Sequence, residues 1–189
     1  MKKIILTTLI AILCLLISSC KTTPTSLDEG GFGAGLGIEE LESDSINISI
    51  SVPESWEESS SSYLGTEIRH YRSPLETQSD IFAESLSVTT EKLEEETNLD
   101  EYVNKNVENL KLTFSDFEIV SPVSDEKIGE YDGKVVSFSY TMGTYKIVIE
   151  EAFVMKDGNM YIIMSNATTD SYENYKDVFK TARDSFKIN

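Results

Sequence analysis

Side chains able to do chemistry are few in this chain. One histidine, His70, and two cysteines, Cys14 and Cys20, stand among 189 residues. That scarcity excludes zinc sites of the Cys/His kind and cysteine–histidine nucleophiles. A Ser-His-Asp arrangement would have to use His70, yet no G-x-S-x-G turn is present to expose a serine. His70 sits in Arg69-His70-Tyr71-Arg72, the one dense basic stretch beyond the amino terminus. If this stretch is a strand, Arg69 and Tyr71 face one way while His70 and Arg72 face the other. Arg69, His70 and Arg72 are therefore the candidate binding residues, because a guanidinium fork suits an acidic partner, a glycan or a headgroup phosphate. The competing expectation is that both arginines pair with nearby carboxylates and support the sheet.

Carboxylates are abundant: 33 acidic residues against 16 basic ones give a net charge of −17. Such a chain repels phosphates, so nucleic acid is not an expected partner. Two converging acids could hydrolyse a glycosidic bond. An extracytoplasmic carboxylate-dependent hydrolase acting on envelope or glycan material is thus the enzymatic alternative, although no motif supports it. The acidic runs Glu39-Glu40-Leu41-Glu42-Ser43-Asp44 and Glu94-Glu95-Glu96 could gather hard cations. The D-x-[DN]-x-[DN]-G loop is missing, however, and such runs ordinarily keep a surface solvated. No metal site, cofactor or catalytic residue is expected.

The amino terminus reads as an address. Lys2 and Lys3 precede an apolar run from Ile4 to Ile17, which is short for a membrane span and suits a signal-peptide core. The run ends in Ile17-Ser18-Ser19-Cys20, which resembles the lipobox of bacterial lipoproteins. The resemblance implies cleavage before Cys20, acylation of its thiol and a bilayer as the first partner. Two or more acyl chains make such an anchor stable. Five of the ten glycines fall between Gly30 and Gly37, a composition that predicts a flexible tether. Three segments are expected: a signal peptide over 1–19, the lipidated cysteine and tether over 20–45, and a globular domain over 46–189.

Hydropathy over the domain alternates like a sheet. Ile46, Ile48, Ile50 and Val52 carry the period of an opening strand that Pro53 ends. Extended stretches follow at about 64–72 and 82–88, the first reached through a polar Glu/Ser run. Leu99, Val103, Val107 and Leu110 then fall on one helical stripe, with Asn98 placed to cap it. Four strands are expected at about 117–123, 134–142, 145–155 and 160–167. Their turns are assigned to Asp132-Gly133, Met142-Gly143-Thr144 and Asp157-Gly158-Asn159. The 145–155 strand is apolar on both sides, so both must be covered. A closing helix that Asp170 or Ser171 could cap aligns Tyr172, Tyr175, Phe179, Ala182 and Phe186 and supplies the second cover. The fold class is α+β, an antiparallel sheet of about six to seven strands between two helices.

The order of these elements carries a resemblance. Val52-Pro53-Glu54-Ser55-Trp56 follows the opening strand, and Ser73-Pro74-Leu75, Leu86-Ser87-Val88 and Leu99-Asp100-Glu101-Tyr102 come next. Tyr131-Asp132-Gly133-Lys134, Lys156-Asp157-Gly158 and a final Ser185-Phe186-Lys187-Ile188 complete the series. Residues 46–189 resemble the PsbP-like family. That resemblance implies a binding or assembly module without shared catalytic machinery. A non-catalytic, membrane-tethered extracytoplasmic module with a protein partner in the bacterial envelope is the functional expectation.

Overall fold

In the computed structural model the described residues are 47–63, 66–77, 80 and 82–189. Cys20, the signal peptide, the tether and Ile46 lie outside them. The chain runs through β1 (Ile48–Ser49), β2 (Glu57–Tyr63), β3 (Thr66–Arg72), β4 (Ser85–Lys92) and α1 (Leu99–Thr113). It continues through β5 (Glu118–Ile128), β6 (Tyr131–Met142), β7 (Tyr145–Lys156), β8 (Asn159–Thr168), α2 (Tyr172–Ser185) and β9 (Lys187–Ile188). Seven strands form one antiparallel sheet in the order β2-β3-β4-β8-β7-β6-β5, while among the described residues β1 pairs only with β9. The fold is α+β, with a helix against each face of the sheet.

Each face has its own core because side chains alternate along a strand. Ile147, Ile149 and Phe153 of β7 pack with Tyr102, Val103, Val107 and Leu110 of α1. Ala152 and Val154, on the other side of the same strand, pack with Phe179 and Ala182 of α2 and with Phe186. Trp56 belongs to this second core, its ring 6.2 Å from Tyr175 and 6.4 Å from Phe179.

The helix starts differ. Asn98 caps α1 as expected, its side chain accepting from the amides of Asp100 at 2.9 Å and Glu101 at 3.2 Å. Replacing Asn98 by alanine should cost about 1 kcal/mol, read from the denaturant midpoint, whereas Asn98→Asp should preserve the cap. An unchanged midpoint in Asn98→Ala would show that α1 is held by packing alone. Ser171 stands at the start of α2 but makes no side-chain cap. Its hydroxyl instead donates to Glu84 Oε1 at 2.5 Å.

Three elements depart from the sequence expectation. The opening strand over 46–52 pairs only at Ile48 and Ser49, because the last residues of the chain are its sole strand partner among the described residues. Ile50 and Val52 are instead packed against the α2 core. The Glu/Ser run is itself a strand, β2, paired with β3 over seven residues. The β5–β6 turn falls at Gly129 (φ 57°), not at Asp132-Gly133. Gly133 lies inside β6, paired with Glu126 and Val154. A Cβ there would come 2.4 Å from the Phe153 carbonyl oxygen and 2.5 Å from Ile128 Cδ1, so close approach rather than turning selects glycine.

Candidate functional site

Strand β3 carries the expected basic stretch, with its faces as expected. His70 lies opposite Ser87 and Arg72 opposite Ser85 on the α1 side, while Arg69 lies opposite Val88 on the α2 side. Both arginines are engaged. Arg69 Nε lies 3.4 Å from Glu58 Oε1, and its Nη1 donates to the Ile48 carbonyl at 3.2 Å. Arg72 Nη2 lies 3.3 Å from Glu57 Oε2. Burial, with the Arg72 charge beside it, lowers the His70 pKa to about 4, so the imidazole is neutral at pH 7. The stretch is therefore no unpaired cationic island, and the arrangement in which one arginine stays free is not the one observed. Two glutamates of β2, from the run read as a connection, neutralise it.

The more unusual chemistry lies in the middle of β7. Glu150 and Glu151 interrupt the apolar run from Ile147 to Met155 and project to opposite faces. Glu151 is fully buried among the side chains under α1, where Asn106 Nδ2 donates to its Oε2 at 2.6 Å. Its Oε1 has no hydrogen-bond partner among the described residues. Burial pushes its pKa up to about 8, against which the Asn106 hydrogen bond acts only in part, so it is a neutral acid at pH 7. Strand register carries one lateral row from Glu151 through Met164 and Ser87 to His70. Ser87 Oγ and His70 Nε2 are likewise unpartnered among the described residues.

Glu150 belongs to the other face. Arg183 of α2 donates to its Oε1 from Nη1 at 2.9 Å and reaches Glu126 Oε2 from Nη2 at 3.1 Å. Burial raises the Glu150 pKa, with Arg183 opposing that shift. Near α1, Tyr102 OH donates to Glu91 Oε1. Burial, then the Glu91 charge, pushes that phenol far above its ordinary range. The sequence signal for the β7 acids was two adjacent carboxylates inside a strand apolar on both sides. Such a pair sends one carboxyl group into each core.

Chemically, the two carboxylates stand back to back and cannot flank one bond. A surface cavity of about 460 Å³ gathers other acids at the start of α1, but lysine answers them there. Lys134 Nζ lies 2.6 Å from Asp100 Oδ1 and 2.5 Å from Asp125 Oδ1. Glu94, Glu95 and Glu96 are exposed, and no group of three metal-ligating side chains occurs among the described residues. Cys20 is outside the described residues.

Comparison with known proteins places the fold. No curated protein matches the chain. Protein PA94 of unknown function from Pseudomonas aeruginosa is similar with a TM-score of 0.56 at 13% identity, covering 71% of this chain and 86% of that one. LpqN, involved in cell envelope biogenesis of Mycobacterium tuberculosis, gives 0.56 at 12% identity, covering 75% and 83%. Cyanobacterial PsbP from Synechocystis sp. PCC 6803 gives 0.55 at 14% identity, covering 85% and 98%. The fold is thus PsbP-like, as the order of elements implied. A family model matches residues 40–188, nearly the whole domain, and on that match the chain belongs to the family described as the serine/threonine kinase C-terminal domain.

Proposed function

We propose that this chain is a non-catalytic binding or envelope-assembly module, held outside the cytoplasm in the bacterial cell envelope by an acylated Cys20. The observation that carries the non-catalytic part is the use made of the unusual side chains. Glu150 is taken up by Arg183 and Glu151 by Asn106, in separate cores on opposite faces of the sheet. The family description fits this reading, since it names a C-terminal domain of kinases rather than their catalytic one. The single histidine is followed by Tyr71, so the H-R-D triplet of a kinase catalytic loop does not occur in the sequence, and neither does D-F-G. LpqN is itself described as involved in cell envelope biogenesis, which suits a partner in the envelope. Fold alone does not fix function, so the anchor and the partner need their own test.

That test uses the full chain in a bacterial host with a fatty-acid probe. The wild type should label and sediment with membranes, and Cys20→Ser should lose the label. Equal labelling of the two would overturn the anchor. Crosslinking in intact envelopes should then recover a partner from the wild type that is lost when the chain is released.

A further inference from the structure

Part of the sheet face on the α1 side is buried without belonging to a core. Ile68 and His70 of β3 share that face with Ser87 and Thr89 of β4, Ile68 opposite Thr89 and His70 opposite Ser87. Ile68 is 4% exposed, Ser87 2% and Thr89 1%. The α1 core reaches only the neighbouring strand, through Ile162 and Met164 of β8, and Ile68 stands in neither core. Hydroxyls surround it, and those of Ser87 and Thr89 have no hydrogen-bond partner among the described residues. An apolar side chain two strands away from the strip that α1 covers is buried only when something else lies over it.

We propose that residues 40–46 belong to the domain and dock across this face, with Leu41 over Ile68. The family match begins at residue 40, ahead of Asn47 and inside the stretch whose composition predicts a tether. The described chain also enters beside the right strand. The Ile48 carbonyl accepts from Arg69, the neighbour of Ile68 on the opposite face of β3. From Asn47 back to Leu41 an extended chain spans about 20 Å. Among the described residues only β2 lies outside β3, and its backbone is about 4.8 Å away, so the segment can pass around that edge. The sequence of the segment fits the face it meets. In an extended conformation Leu41, Ser43 and Ser45 point one way while Glu42 and Asp44 point the other. Leu41 then covers Ile68, the two serines meet the hydroxyl row, and both acids stay in water. Docking shortens the free tether to residues 21–39 and closes this face to a partner. It is independent of the acylation of Cys20.

Urea midpoints of the purified full chain test the contact. Leu41→Asp should lower the midpoint about as far as Ile68→Ala does, whereas Leu36→Asp, upstream of the docked segment, should leave it unchanged. The double variant Leu41→Asp/Ile68→Ala should unfold no earlier than the worse single variant, because both remove the same contact. Hydrogen exchange of the wild type asks the question without a substitution. Corrected for intrinsic rate, the amides of 41–46 should exchange about tenfold or more slowly than those of 31–36. A Leu41→Asp chain with the wild-type midpoint, a double variant that loses the sum of the two shifts, or equal exchange in the two segments overturns the proposal. So does a loss of stability in Leu9→Asp but not in Leu41→Asp, which would put the apolar run of the amino terminus over Ile68 instead.

Discussion

Gly129→Ala is expected to destabilise the domain far more than Gly143→Ala or Gly158→Ala, although all three glycines turn hairpins with positive φ. Their φ values are 57°, 62° and 75°, so each substitution carries the left-handed penalty of an L-residue, about 1–2 kcal/mol. Space separates them. A Cβ at Gly143 or Gly158 meets nothing within 4 Å, whereas at Gly129 it would sit 2.0 Å from the carbonyl oxygen of Phe186. That contact is backbone, just past the end of α2, and cannot swing aside. Gly129 N–H also donates to the Arg183 carbonyl at 3.1 Å, so the turn is clamped against the helix it would have to leave. Overpacking adds about 1–3 kcal/mol to the conformational cost. Urea midpoints at constant slope measure the three losses. Equal losses would show that the turn and the helix end are not in contact.

The second large effect is a pH dependence centred on Glu151. The folded carboxyl titrates near pH 8, against 4.5 for an unperturbed glutamate. Between those values the unfolded chain has released the proton and the folded chain keeps it, so stability falls as pH rises through the window. His70 works in the opposite sense. Its folded pKa of about 4 lies below the ordinary 6.5, so between those values the unfolded chain holds the extra proton and stability rises with pH. From about pH 4.5 to 6.5 the two slopes nearly cancel. From 6.5 to 8 Glu151 acts without that opposition, at about 1.4 kcal/mol per pH unit. Glu151→Gln should abolish this decline and melt above the wild type at pH 8. Parallel melting curves for the two proteins from pH 6 to 9 would show that the carboxyl ionises without cost to the fold.

Legibility followed the strength of local pattern. Helix α1 could be read because its cap and stripe agree: Asn98 sits before the periodic run, and Val103, Val107 and Leu110 are buried as their spacing demanded. The apolar doubling of β7 revealed the two-sided cover. Strand β2 could not be read this way. At an edge, serine loses little by facing water, and the strand is held through backbone pairing with β3 rather than by an apolar face. Gly133 misled because a glycine demanded by a neighbouring carbonyl looks in sequence like one demanded by a turn. The basic stretch was legible as a feature but not as chemistry. Its neutralising partners, Glu57 and Glu58, sit on a strand whose register with β3 is set by pairing and not by spacing.

The order of strands also has a kinetic consequence. Strands β5 to β8 are joined by tight turns and pair with their neighbours in the chain, so each closure spans few residues. The β4–β8 pairing is different: Asn166 reaches Ser85 across 81 residues of sequence. Closing a loop of that length costs about 2–3 kcal/mol more in chain entropy than closing a hairpin. That cost is met more easily when β8 is already an ordered edge than when both strands are loose. The meander can therefore assemble first, with β4 bringing β2 and β3 onto it afterwards. The sheet is thus two sequence-local halves, β2 to β4 and β5 to β8, and the β4–β8 pairing that joins them is the late, long-range step.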